Sequence, residues 1–118
     1  MKESLVVHAC MQWLYLHGIQ PIRNNTGAFS KTHTDKHGVT RNHHIRVGKK
    51  GSGDILACTP TGRWLEAEAK NEDGKQQAEQ IDRQRHVESL GGIYVLARST
   101  DDLEARKGDI LGVNAQSG

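Results

Sequence analysis

The sequence predicts an α/β domain, a mixed β-sheet flanked by helices, and three observations predict it. Leu5, Val6, Ala9, Cys10, Trp13, Leu14 and Leu16 recur at helical spacing. Thr59-Pro60-Thr61-Gly62 is a turn signal set between two strand-like runs, residues 54–58 and 63–70. A helical stretch over residues 76–90 is stopped by Gly91-Gly92 and leads into the wholly apolar IYVLA, Ile93–Ala97. The turn makes an antiparallel pair, and the helix is long enough to cross over to a neighbouring strand.

Taken in order, a helix runs over residues 4–17 and ends at Gly18. A short strand is expected over residues 19–24, with Pro21 at its start or on an edge. Residues 25–53 are polar, basic and glycine-bearing, and read as a long loop in which residues 43–47 pair as a strand. The hairpin, helix and buried strand follow. Ser99 or Thr100 then caps a last short helix beginning at Asp101. Residues 1–112 form a single domain, and residues 113–118 have no core-forming pattern and read as a tail.

With 118 residues there is room for one small, mainly aliphatic core. No apolar run approaches the ~20 residues that span a bilayer. Glu3, His8, Gln12 and His17 interrupt the first helix, so it reads as a core helix rather than a signal peptide, and a cytoplasmic location is expected. Cys10 and Cys58 form no CxxC and are expected to be reduced, buried thiols. The net charge of +2 is uneven. Lys31, Lys36, Arg41, Arg46, Lys49 and Lys50 face only Asp35 between positions 31 and 50, and acids outnumber bases from Glu66 to Glu88. A basic segment beside an acidic cluster suits a protein that binds a polyanion around a cation. His43-His44 lack further ligands at zinc spacing and read as phosphate contacts or solvated residues. Trp13 reads as core, whereas Trp64 shares the strand face of Glu68 and is a candidate for base stacking.

The chemistry lies in GSGDILACTPTGRWLEAEAK, residues 51–70. Strand side chains alternate, so Trp64, Glu66, Glu68 and Lys70 share one face, and Leu65, Ala67 and Ala69 the other. Glu68 and Lys70 stand roughly 6–7 Å apart along the strand. Folding back at the turn brings Asp54 beside the end of the second run. Two carboxylates at that range repel unless a cation lies between them. Mg²⁺, which takes hard oxygen ligands and keeps several waters, is the natural candidate, and Mn²⁺ would substitute.

Gly53-Asp54, the hairpin and Glu68-Ala69-Lys70 resemble the PD-(D/E)xK nuclease motif. Gly74, Gln80 and the Gly91-Gly92 strand ending extend the likeness to the VRR-NUC family, the virus-type replication-repair nucleases, in its stand-alone phage or bacterial form. The resemblance implies a PD-(D/E)xK restriction-endonuclease-like core and a metal-dependent DNA endonuclease. It implies Asp54, Glu68 and the carbonyl of Ala69 as metal ligands, Lys70 as the catalytic lysine and Gln80 as the motif glutamine beside the site. Glu3 is similar to the helical glutamate of Holliday junction resolvases. A homodimer acting on branched DNA is likewise implied, and Val6, Trp13 and Leu14 are candidates for the subunit contact. Gly53 stands where the superfamily name has proline. Glu66 rivals Glu68, but only Glu68 has a lysine two residues on. A non-catalytic nucleic-acid-binding module of the same fold is the alternative.

Overall fold

The computed structural model describes residues 2–24, 27–47 and 50–112, with the side chains of residues 27–31 and 42–47 outside that description. Helix α1 (Glu3–Leu16) is followed by strand β1 (Ile22–Arg23), the hairpin strands β2 (Gly27–Thr34) and β3 (Thr40–Val47), then β4 (Ile55–Cys58) and β5 (Trp64–Ala69). Helix α2 (Ala78–Ser89), strand β6 (Ile93–Ala97) and the short helices α3 (Asp101–Glu104) and α4 (Lys107–Leu111) complete the order.

The main sheet has the order β1-β4-β5-β6. The β4–β5 pair is antiparallel, with Ile55 opposite Ala67, and the β5–β6 pair is parallel, with Glu66 beside Tyr94. One antiparallel hairpin and one crossover through α2 make the sheet mixed, as the sequence predicts. Helix α1 packs on β5, and α2 and α3 pack on β6. The core between α1 and the sheet holds Val6, Cys10, Leu14, Ile55, Leu65, Ile93, Leu103 and Ile110, all at 2 % exposure or less. Burial of a side chain of this size stabilises by about 1.5–3 kcal/mol each.

Three expectations are corrected. The segment between β1 and β4 is not a loop with one strand in it: it is a long antiparallel ribbon, in register from Gly27–Val47 to Thr34–Thr40. Alternating Thr, Val, Ile and Phe there favour extended backbone even though the composition is polar. Val6, Trp13 and Leu14, the proposed subunit contacts, are buried in the protomer's own core. Trp13 also donates from Nε1 to Glu104 Oε1 at 2.9 Å and stacks on His17. Cys10 is buried, and burial pushes its thiol up to about 11, but Cys58, the last residue of β4, is exposed. Among the described residues no helix is long and apolar enough to cross a membrane. The proposed tail, residues 113–118, lies outside the described residues.

Candidate functional site

Strand β5 builds the site because both of its faces are covered. Leu65, Ala67 and Ala69 face the aliphatic core, while Glu66, Glu68 and Lys70 are buried on the other side at 0, 5 and 8 % exposure. Three charged side chains taken out of water in one row require partners, and each has one. Glu66 lies in an ion pair with Arg83 of α2 and accepts from Gly53 N at 2.9 Å and Trp64 Nε1 at 2.7 Å. Burial alone would raise the Glu66 carboxyl, but these hydrogen bonds and the Arg83 charge outweigh it and hold the carboxyl below its ordinary value. Both carboxylate oxygens of Glu66 are therefore already engaged.

Glu68 sits in the opposite situation. Gln80 Nε2 donates to its Oε1 at 2.7 Å, and Lys70 Nζ lies 3.9 Å from the same oxygen. Its carboxyl is nevertheless pushed up to about 8, first by burial and then by the negative charge of Asp54, with Glu3 adding to the effect and Lys70 opposing it. The negative charge of one carboxylate makes its neighbour harder to ionise.

Asp54 is placed by three neighbours. Its Oδ2 accepts from Ala69 N at 2.8 Å, its carbonyl accepts from Asn24 N at 2.7 Å, and Arg23 Nη1 donates to that carbonyl at 2.9 Å. In extended backbone the N–H and C=O of one residue point to the same side of the strand. The carbonyl of Ala69 thus faces Asp54, as the antiparallel side of β5 requires, while Lys70 N bonds to Ala97 O on the β6 side.

Gly53 occupies a place that proline could not fill. Its N–H is the donor to Glu66, which proline lacks. A Cβ at this position would also lie 2.9 Å from Ala67 O. The backbone of residue 53 lies flat on β5, and that contact carries Asp54 to the strand edge.

Helix α2 reaches the site through its first turn. Gln77 and Gln80 form a capping box, with Gln77 N donating to Gln80 Oε1 at 2.7 Å. The same Gln80 side chain donates to Glu68, so one residue both caps the helix and orients the carboxylate. On the β6 side, Arg98 Nη1 bonds to the carbonyls of Asn71 and Gly74, both at 2.7 Å, and ties down the turn after Lys70.

Asp54, Glu68, Ala69, Lys70 and Gln80 are thus brought together, and Glu3 opens α1 within electrostatic reach of Glu68. The proposed phosphate-binding residues are not part of this cluster. Lys36 and Arg41 are exposed on the ribbon, and Lys50 pairs with Glu79 at 3.1 Å. The side chains of Lys31 and Arg46, and all of Lys49, lie outside the described residues.

Sequence reasoning missed Arg83, Tyr94 and Arg98. Tyr94 is 1 % exposed, and its hydroxyl meets no hydrogen-bond partner among the described residues, although Gln76 lies alongside. Burial, followed by the charge of Glu68, holds that hydroxyl well above its ordinary value. The only sequence signal was a tyrosine inside an apolar strand, and its meaning depends on the parallel register that sets it beside Glu66.

Among the described residues no group of three or more His, Cys, Asp or Glu side chains stands in metal-holding geometry. The oxygen set is two carboxylates and one backbone carbonyl. Compared with known proteins, the chain matches no family model and no curated sequence.

Proposed function

We propose that the protein is a metal-dependent DNA endonuclease with a PD-(D/E)xK-type core of the VRR-NUC kind. The observation that carries this reading is the convergence of Asp54, Glu68 and Lys70 at one edge of β5, where burial and the charge of Asp54 raise the Glu68 carboxyl and a cation would oppose that shift. The donor set fits Mg²⁺: hard oxygens, incomplete coordination and room for water. Asp54, Glu68 and the carbonyl of Ala69 would hold the ion, which when bound supplies Lewis acidity and an activated water.

The chain's own residues then have distinct tasks. Gln80 fixes the rotamer of Glu68, and the Ala69 N–H fixes Asp54. Lys70, nearly buried, orients the nucleophilic water and stabilises negative charge developing on the phosphoryl oxygens. The water gives up a proton to solvent as it attacks phosphorus, the P–O bond to the leaving oxygen breaks, and that oxygen takes up a proton from solvent. Exposed basic residues beyond the site hold the backbone without reading sequence.

We infer further that the enzyme is a homodimer that cuts branched DNA, junctions first, in the manner of a Holliday junction resolvase. Two-fold symmetry would set two identical sites at related positions on a junction. The contact does not involve Val6, Trp13 or Leu14. Exposed Leu5, Tyr15 and Leu16 leave α1 an apolar outer side for it.

The test is a cleavage panel of linear and branched DNAs with Mg²⁺ and Mn²⁺. Junction cutting by the wild type, lost in Asp54→Ala and Glu68→Ala while DNA binding persists, is the expected result. Metal-independent binding without any cutting would replace this reading with the non-catalytic nucleic-acid-binding module. Light scattering should give about twice the 13.1 kDa chain mass. A monomer that cuts junctions no better than linear duplex would remove the resolvase reading and leave the nuclease.

A further inference from the structure

We propose that the β2–β3 ribbon is a DNA-gripping arm that lies in the major groove of B-form duplex beside the scissile strand. The inference deepens the nuclease reading by naming the groove through which the substrate is held, and it rests on that reading for the identity of the polyanion.

The ribbon makes its backbone bonds within itself and packs chiefly on itself. From Thr32 to Thr34 and from Lys36 to Arg41 every residue is exposed, so neither face of this half is covered by the protein. An isolated two-stranded hairpin is marginal in water, yet this one is closed with care. Asp35 Oδ1 accepts from His37 N and Val39 N at 2.9 and 3.0 Å, Gly38 takes a φ of +77°, and Thr34 and Thr40 hydroxyls bond at 2.9 Å. The turn is a three-residue loop with its left-handed glycine, a geometry that keeps the strand twist.

The charge pattern points outward. Asp35 is the only acid in the ribbon, and its carboxylate is committed to the turn. The cross-strand register sets His33 opposite Arg41 and Lys31 opposite His43. Opposite charges across strands stabilise a sheet, and the register places no acid opposite Arg41. An external polyanion supplies the missing negative charge.

Size selects the groove. Two strands about 4.8 Å apart, with side chains, form a strip roughly 10 Å across, which fits a B-DNA major groove about 12 Å wide but not a minor groove about 6 Å wide. The major groove of A-form RNA is too narrow and deep to admit it. Eight residues per strand extend roughly 26 Å, long enough to follow the groove past several base pairs.

Position links arm to chemistry. The chain leaves the sheet for the ribbon at Asn24, which bonds through its N–H to Asp54 O and through Nδ2 to Gly53 O. The ribbon's exit and return are thus joined at Asp54, and a duplex held by the arm lies within one arm's length of Glu68 and Lys70.

The test is dimethyl sulfate footprinting of the wild-type protein on a 20-base-pair duplex in metal-free buffer. The reagent methylates guanine N7 in the major groove and adenine N3 in the minor groove. Protection of guanine N7 with adenine N3 left reactive is expected. In Lys36→Ala/Arg41→Ala, N7 protection should be lost, affinity should fall about tenfold, and the log–log salt slope should flatten by roughly two units. Protection at adenine N3 alone, or a double variant that binds and footprints like wild type, would overturn the proposal. Cutting in Mg²⁺ is scored separately. N7 protection without any cleavage sinks the nuclease reading and supports the arm, whereas cleavage without N7 protection sinks the arm and spares the nuclease.

Discussion

The two hairpins of this chain, β4–β5 and β2–β3, are built from the same antiparallel pairing and treat polar residues in opposite ways. In β4–β5 the polar side chains of the second strand are buried, and each is tied to a named partner: Glu66 to Arg83, Glu68 to Gln80, Lys70 to Glu68. In β2–β3 the described side chains of the outer half face solvent, and the bonds they make close the turn. The difference lies in what covers each pair. Helices α1 and α2 enclose the main sheet, so its charges are desolvated and strongly coupled. Among the described residues the outer half of the ribbon has no such cover, so Lys36 and Arg41 stay hydrated and free to meet a partner. A site that must hold charges in fixed positions needs the first environment, and an arm that must find a polyanion suits the second.

The most severe way to break this comparison is at Asp54 and Glu68. Either substitution to Ala should lower cleavage by more than about 10³-fold, measured as single-turnover rate with saturating Mg²⁺, on the scale of removing a principal electrostatic stabiliser. Lys70→Ala should cost about 10²-fold in turnover yet retain metal binding by calorimetry. Loss of the metal instead would assign Lys70 to the ion rather than to the reacting water.

Arg83→Ala tests the enclosed side of the comparison. It leaves Glu66 buried and unpaired, and should destabilise by about 3 kcal/mol in urea denaturation. The sign with pH follows from the lowered Glu66 carboxyl. The folded state releases this proton more readily than the unfolded chain, so the contribution is full above the ordinary value of 4.5 and is lost as pH falls below it. Wild type should therefore lose this stability on acidification, and Arg83→Ala should not show that component.

Glu68 should behave in the reverse sense. Its carboxyl, raised from 4.5 to about 8, makes the folded state bind the extra proton, so metal-free stability falls as pH rises through that window. Glu68→Gln should raise the metal-free stability at pH 8 by about 1–2 kcal/mol while abolishing cleavage, a trade of function for stability. An unchanged or lower melting temperature would show that Asp54 and Glu68 do not strain one another.

The smallest effect belongs to the ribbon. Thr34→Ala should change global stability by less than about 0.5 kcal/mol. Amides such as Thr32 should exchange without global unfolding, while β5 and β6 amides exchange only through it. Equal protection in the two hairpins would mean that something covers the ribbon in solution.

Much of the enclosed region was legible because local periodicity and turn chemistry agree there. The hairpin around Pro60-Thr61, the helix after Gly74 and the strand Ile93–Ala97 all fall within two residues of their expected bounds. The shared face of Glu66, Glu68 and Lys70 followed from the period of two. The ribbon was illegible as a ribbon because its few apolar residues, Phe29, Ile45 and Val47, are outweighed by a polar, basic and glycine-bearing composition that reads as loop. Val6, Trp13 and Leu14 were misread as subunit contacts because an apolar residue on a helix does not say which side of it is covered: the Trp13 indole donates to Glu104 of α3, and Leu14 shares one core with Leu103 and Ile110 from the far end of the chain.

What the sequence by itself determined is the set of residue types and their local order: an acid before a hairpin, Glu-Ala-Lys after it, and a glutamine on the next helix. What only the tertiary structure decided is which carboxylate is spare. Glu66 and Glu68 are equivalent by pattern, on the same face of the same strand. They differ because Arg83, one turn along α2 from Gln80, reaches the first and pairs with its charge, while the second receives a neutral amide from Gln80 and only a more distant Lys70 at 3.9 Å. That distinction depends on how a helix crosses a sheet, a long-range geometry that strand periodicity does not encode.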